Sequence, residues 1–229
     1  MTKSLIVRGG RIELESELGG KPMVSVYPAK GPETYVNVAQ EIINAGLALP
    51  RGPETASLVG AAFSDLSNRY SKEIKQTMDN RWLWVFTRDL YMPEKGVYLY
   101  DSVDKFDESE LVKRLEAKDK SVRFVPFGFK AGEQTAPDLA KNAYVVAQFG
   151  EEGAEKLAKA SEKYSRNPKV WTLSADDVRE PIQGVSCLGG YCDGCRLLVD
   201  GDYFVGDDGG YAFGVSPSAD EGSASAPKK

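Results

Sequence analysis

The stretch that decides the fold is Ala143 to Leu173, AYVVAQFGEEGAEKLAKASEKYSRNPKVWTL. Tyr144, Val145, Val146, Ala147 and Phe149 form a continuous apolar run, which suits a strand covered on both faces of a parallel sheet. Gly150 lets the chain turn sharply. Glu151 and Glu152 then place negative charge where the free amides of a new helix point outward, worth roughly 0.3–1 kcal/mol each. Ala154, Leu157, Ala158, Ser161 and Tyr164 recur at helical spacing, opposite Glu155, Lys156, Lys159, Glu162 and Lys163. Asn167-Pro168 stops that helix, because proline cannot continue the hydrogen-bond ladder, and Lys169 to Leu173 follows as a strand. The stretch therefore predicts a right-handed βαβ unit with parallel pairing.

A strand, a glycine and a helix N-terminus can together hold a phosphate, because free amides and the helix dipole attract anions. Here two glutamates occupy that position, and neither Gly-x-Gly-x-x-Gly nor Gly-x4-Gly-Lys-Ser/Thr occurs in the chain. The junction reads as scaffold.

Upstream, Ser4 to Glu15 and Met23 to Tyr27 predict two or three short strands. Gly-Pro-Glu-Thr occurs at residues 31–34 and again at 52–55. Proline in a first turn with glutamate beside it is a helix-start signal, so a helix is expected after each copy, the second breaking near Ser64 and continuing to Met78. Trp82, Trp84 and Phe86 alternate with Leu83, Val85 and Thr87 as in a strand, and Gly96 to Asp101 reads as its hairpin partner. An aromatic wall of Trp82, Trp84, Tyr98 and Tyr100 could stack a planar ligand, or serve as core. Asp107 with Glu110, and Thr135 with Asp138, predict the starts of two further helices.

After Leu173 glycine and aspartate rise and helix formers vanish. Val185–Leu188, Cys195–Val199, Tyr203–Val205 and Tyr211–Val215 read as a β-meander. The small, polar segment from Ser216 onward cannot bury enough surface to order itself. The expected fold class is α/β: a mixed β-sheet flanked by helices, with one βαβ unit followed by a small C-terminal β-meander. The expected division is an α/β domain over 1–173, a meander packed on it over 174–215, and a tail over 216–229.

The chain has 229 residues, 41% of them hydrophobic, and a net charge of −5. That length and composition support a sizeable core. The acidic balance, without a lysine- and arginine-rich cluster, argues against nucleic acid as a partner. No stretch approaches the roughly 20 apolar residues of a membrane span and no signal peptide is evident, so no membrane partner and a cytoplasmic location are expected. Histidine is absent. That removes Ser-His-Asp and Cys-His catalysis, His-ligated zinc and imidazole acid/base chemistry together.

Three sets of residues are candidates for chemistry. Cys187, Cys192 and Cys195 have the spacing C-x4-C-x2-C, among glycines that free the backbone to wrap around a metal. Zinc or an iron–sulfur cluster is the cofactor this cluster would take; the alternative is small structural cysteines in a hairpin, with no cofactor. Asp176 and Asp177 lie just past the strand at Leu173, on the carboxyl edge where open α/β sheets place ligands. Trp82 and Trp84 complete the ligand-binding candidates. Asp200, Asp202, Asp207 and Asp208 invite a calcium reading, but Phe204 stands where an EF-hand needs an oxygen, and turns explain them as well.

The text CLGGYCDGCRLLVDG, residues 187–201, resembles the cluster loop of plant-type [2Fe-2S] ferredoxins over about fifteen residues, without that family's fourth cysteine. NRWLWVFTRDLY with KGVYLYD, and FGEEGAEKLAKASEKYSRNPKVW, resemble segments of uncharacterised proteins of small-genome archaea. That resemblance spans most of residues 30–215 and implies a cytosolic archaeal-type protein without implying an activity. Three functions remain open: a non-catalytic module binding a protein partner or small ligand, a metal or redox protein built on the cysteines, and a carboxylate-dependent enzyme with its site near Asp176.

Overall fold

The computed structural model describes residue 5 and residues 12–190, 195–203 and 205–216. The chain opens with an antiparallel hairpin, β1 (Ile12–Leu18) and β2 (Lys21–Tyr27), which forms a two-stranded sheet of its own. Its two-residue turn needs positive φ at both positions, and Gly19 (+59°) and Gly20 (+73°) supply it. β3 (Lys30–Glu33) leads into α1 (Tyr35–Asn44), whose first turn is capped where Asn37 N–H donates to Thr34 Oγ1 at 3.4 Å.

The two Gly-Pro-Glu-Thr copies fold differently. In the first, Gly31, Pro32 and Glu33 belong to strand β3 and only Thr34 serves the helix; in the second, Gly52 already begins α2 (Gly52–Ser64). Both expected helices form, and α2 breaks after Ser64 before α3 (Arg69–Asn80). β4 (Trp82–Met92), β5 (Gly96–Tyr100), α4 (Glu108–Glu116), β6 (Val122–Pro126), β7 (Gly132–Glu133) and α5 (Ala136–Lys141) follow. Asp107 and Thr135 cap α4 and α5, accepting from Glu110 N–H at 2.9 Å and Asp138 N–H at 3.3 Å.

The stretch from Ala143 departs from its expected reading. Residues Ala143–Ser161 are one helical element, α6, broken at Gly150 (φ 72°, ψ 165°), so Tyr144 to Phe149 is helix rather than strand. A run of six or seven apolar residues has the same appearance in a buried helical turn as in a buried strand. The local signal that separates them is Asn142, whose Oδ1 accepts from Tyr144 N–H at 3.0 Å and so starts the helix before the apolar run. Gly150 sits between two helical segments instead of between a strand and a helix, and Glu151 begins the second.

The strand after α6 does form, as β8 (Lys169–Trp171), but with Tyr144–Phe149 helical the βαβ unit expected over Ala143–Leu173 is not there; the parallel partner of β8 is a later strand, β10 (Leu198–Tyr203). The remaining strands are β9 (Ile182–Gly189) and β11 (Gly210–Ala212). Among the described residues the main sheet has nine strands, running β3-β11-β4-β9-β10-β8-β7, with β5 and then β6 added on the second flank of β4. Helices cover both faces, and the α/β class expected from sequence holds. The division at residue 173 has no counterpart in this order. β9 pairs with β4 from Trp82↔Gly189 to Tyr91↔Ile182, so the segment after 173 supplies the centre of the sheet rather than an appendage. Its glycines permit that position: Gly210 lies flat against the Trp82 and Trp84 rings, where any side chain would collide. The expected tail falls almost entirely on residues 217–229, outside those described; Ser216 N–H still donates to Val24 O at 2.9 Å.

All eleven residues of β4 are buried. Leu83, Val85 and Tyr91 pack with α2, α3 and α6; Trp82, Trp84 and Phe86 pack with Tyr35, Val38 and Ile42 of α1; and Leu90 and Met92 pack with Tyr98, Tyr100 and Leu111 of α4. α2 and α6 meet so closely that a Cβ on Gly52 would overlap the carbonyl of Gln148, whereas a Cβ on Gly150 meets nothing within 4 Å. Gly52→Ala is therefore expected to cost about 3 kcal/mol or more through overpacking against backbone. Gly150→Ala should cost about 1–3 kcal/mol through its glycine-only torsions alone. Urea unfolding midpoints check both; equal, small losses would contradict the close α2–α6 approach.

Candidate functional site

Strand β4 reads WLWVFTRDLYM, and Thr87, Arg88 and Asp89 interrupt its apolar run while remaining buried, at 0%, 2% and 0% exposure. Polar groups taken out of water must find partners or cost several kcal/mol. The sheet makes room for them by breaking its own register. Pairing between β4 and β9 jumps from Val85↔Ser186 to Arg88↔Val185, and between β10 and β9 from Asp200↔Cys187 to Tyr203↔Val185. Ser186 thus lies between an irregularity on each side, and such bulges re-aim side chains next to sites.

Each polar residue finds at least one partner, although Arg88 Nη1 is left without one. Asp89 accepts from Tyr144 OH of α6 at 2.8 Å and from Ser186 Oγ at 2.7 Å. Arg88 points to the other face, where Nε donates to Val103 O at 2.7 Å and the guanidinium lies 5.2 Å from the Tyr35 ring centre. Thr87 Oγ1 donates to Asp101 Oδ1 at 2.9 Å, and Asp101 receives both Arg123 Nη1 (2.7 Å) and Nη2 (2.8 Å) in a bidentate pair. Gly201 completes the packing: Tyr91 OH donates to its carbonyl at 3.1 Å, and a Cβ there would overlap the Tyr144 hydroxyl.

Burial pushes the Asp89 carboxyl up to about 7, although its Ser186 and Tyr144 hydrogen bonds and the Arg123 charge pull the other way. Asp200, 6% exposed, is likewise raised, first by burial and then by the adjacent Asp202 carboxyl. The folded state therefore holds protons that the unfolded chain releases from pH 3.8 upward. The Asp89 contribution is fully present below about pH 4, declines as pH rises, and is lost by about pH 7. Asp89→Asn keeps the shape and removes the titration. Between pH 5 and pH 7.5 the unmodified protein should lose on the order of 2 kcal/mol of stability relative to this variant in chemical unfolding. A pH-independent difference would show that Asp89 does not titrate there.

Beside this polar seam a cleft of about 470 Å³ opens between three parts of the chain. Leu18 of the hairpin and Arg51, Pro53 and Glu54 at the start of α2 form one wall; Val146, Ala147, Gln148 and Gly150 of α6 form another. Asp101, Lys120 and Arg123 close it. A second hollow of about 520 Å³ shares Leu18, Arg51 and Glu54 and continues along β2 towards Ala48 and Val215. Arg51 and Glu54 are paired at 2.5 Å. Gln148 lies one helical turn after Tyr144 and so shares its inward face. It is 1% exposed, and neither its Nε2 nor its Oε1 has a hydrogen-bond partner; Arg123 Nε is also buried without one. Unpartnered buried polar atoms are uncommon enough to need a reason.

The residues singled out from sequence lie elsewhere. Trp82 (6% exposed) and Trp84 (0%) are core: Trp84 Nε1 donates to Glu33 O at 3.0 Å, and Tyr203 packs 4.8 Å from Trp82. They do not form one wall with Tyr98 and Tyr100, which belong to a separate cluster with α4. Asp176 and Asp177 stand in an exposed turn, where Asp177 accepts from Ser174 N–H at 2.9 Å and Oγ at 2.6 Å. Arg179 is exposed beside them. Cys187 is buried among Tyr35, Trp82 and Trp84, and burial, followed by the Asp200 and Asp202 charges, pushes its thiol well up, away from the thiolate. Cys195 is half-buried, its carbonyl accepting from Arg166 N–H at 2.9 Å, and Cys192 lies outside the described residues. Among the described residues no three histidine, cysteine, aspartate or glutamate side chains are grouped to hold a metal ion. Asp207 closes a turn, accepting from Gly209 N–H at 3.2 Å.

Sequence reasoning does not single out Arg88, Asp89, Asp101, Arg123 or Gln148. Three adjacent polar residues inside an aromatic strand were the available signal for Asp89. Nothing local marks Gln148, which is defined by what surrounds it. No family model, curated protein or solved structure matches the chain. Among the described residues no helix is long and apolar enough to cross a membrane.

Proposed function

We propose that the chain is a non-catalytic α/β module that binds a small ligand in the cleft between the β1–β2 hairpin, α2 and α6. The observation that carries this reading is the Gln148 amide, buried at that cleft with neither atom hydrogen-bonded. An amide left so costs about 1–3 kcal/mol, a cost that leucine of similar size would not incur. A bound group that supplies a donor and an acceptor recovers it. Neither amide atom is exposed in the free protein, so binding includes a rotation of the Gln148 side chain toward the ligand. The volume is within the range of small-molecule sites, and the mixture of apolar wall and few polar groups is what such sites use for orientation.

The absence of histidine supports the non-catalytic part of this reading, as does the burial of Asp89 and Asp200. The cysteine and Asp176 alternatives gain no geometric support: Cys187 is held in an aromatic core, and Asp176 faces solvent.

Gln148→Leu separates a ligand-binding amide from a structural one. The variant should be more stable than the parent by about 1 kcal/mol in urea unfolding, and it should lose the thermal stabilisation that ligands from a small-molecule screen confer. Loss of stability on this substitution would mean that the amide has a structural partner, and retained ligand stabilisation would place binding elsewhere.

A further inference from the structure

We infer that the ligand of this cleft is a small amphipathic monoanion, an acid group beside an amide on an apolar body, the chemistry of an N-acylated amino acid or of a peptide's C-terminal residue. This inference rests on the cleft being a binding site.

The charge follows from the pairing of its ionised groups. Arg51 is matched by Glu54, and Arg123 by the bidentate contact to Asp101. Lys120, on the turn before β6, is exposed and has no carboxylate partner among the described residues. One positive charge is therefore left for a ligand to answer. A dianion would bring a second charge into a half-enclosed site with nothing to meet it.

The amide follows from the orphaned atoms. Once its side chain has turned toward the cleft, Gln148 offers both a donor and an acceptor. A secondary amide in the ligand matches the Gln148 side chain in both directions, whereas a hydrocarbon acid would leave it unpaired. Lys120 stands on the side of the cleft closed by Asp101, where its exposed ammonium can give a carboxylate a charge-assisted bond. The apolar body follows from Leu18, Pro53, Val146 and Ala147, which line the rest. Burying a leucine-sized group against them supplies affinity that the polar contacts orient.

The test uses the full chain with N-acetyl-leucine, N-acetyl-leucinamide, and a short peptide ending in leucine with either a free or an amidated terminus, followed by calorimetry and amide chemical-shift mapping. N-acetyl-leucine should bind about tenfold or more tightly than its amide, with shifts at α6 and the start of α2. Lys120→Gln, a change at an exposed site, should weaken the acid severalfold and leave the neutral amide unchanged. Tighter binding of the free-terminus peptide than of N-acetyl-leucine identifies the source as a chain terminus, and the reverse identifies a free metabolite. Equal binding of acid and amide, or indifference to Lys120→Gln, overturns the monoanion assignment. If neither acid binds while another compound gives a stabilisation that Gln148→Leu abolishes, the ligand class fails and the cleft reading stands. If N-acetyl-leucine binds equally well to Gln148→Leu, with shifts mapping away from α6, the cleft reading itself fails.

Discussion

Asp89 brings a carboxyl group into the middle of a sheet that is covered on both faces, and the surrounding structure is arranged to meet it. A buried carboxylate is costly to desolvate, so it must be hydrogen-bonded, neutralised by a proton, or both. Tyr144 reaches it from α6, Ser186 reaches it from β9, and the carboxyl takes up a proton far more readily than an exposed aspartate. To bring Ser186 into position, β4 and β10 both abandon regular pairing with β9. The same irregularity on β4 places Thr87, which holds Asp101 and through it Arg123. The cleft's polar floor and the buried acid are thus two consequences of one interruption in one strand.

α6 connects these two consequences. Its first segment presents Tyr144 to Asp89 and, a turn later, Gln148 to the cleft, while Gly150 breaks the helix so that the second segment can leave in a new direction. Gly52 lets α2 come against the carbonyl of Gln148, so the wall of the cleft is backbone on backbone. That contact makes the position of Gln148 rigid in its main chain. The freedom left to it is rotation of the side chain.

Much of the architecture was legible from local rules because those rules depend on neighbours in sequence. Asp107 and Thr135 cap the helices that follow them, since a side chain within three residues satisfies an amide wherever the helix is later packed. The Trp82–Phe86 alternation and its hairpin partner were legible for the same reason. Tyr144–Phe149 was not, because burial on all sides removes the periodicity that tells strand from helix, and Asn142 was the sole local clue. The two Gly-Pro-Glu-Thr copies make the point again: one tetrapeptide ends a strand at residue 33 and starts a helix at residue 52, according to what lies beside it.

The site was the least legible part. Cys187, Trp82 and Trp84 attract attention by residue type, yet their neighbours make them core; Gln148 and Arg123 look ordinary, yet their neighbours leave them with unmet hydrogen bonds. By itself the sequence determined the α/β class, the starts of α1, α2, α4 and α5 and the exclusion of histidine chemistry, all of which follow from residue type and short-range spacing. Only the tertiary structure decided that β9 and β10 lie at the centre of the sheet and that Asp89, Tyr144 and Ser186 meet. The same is true of the cleft beneath the hairpin, because strand order and side-chain desolvation are set by contacts between residues far apart in the chain.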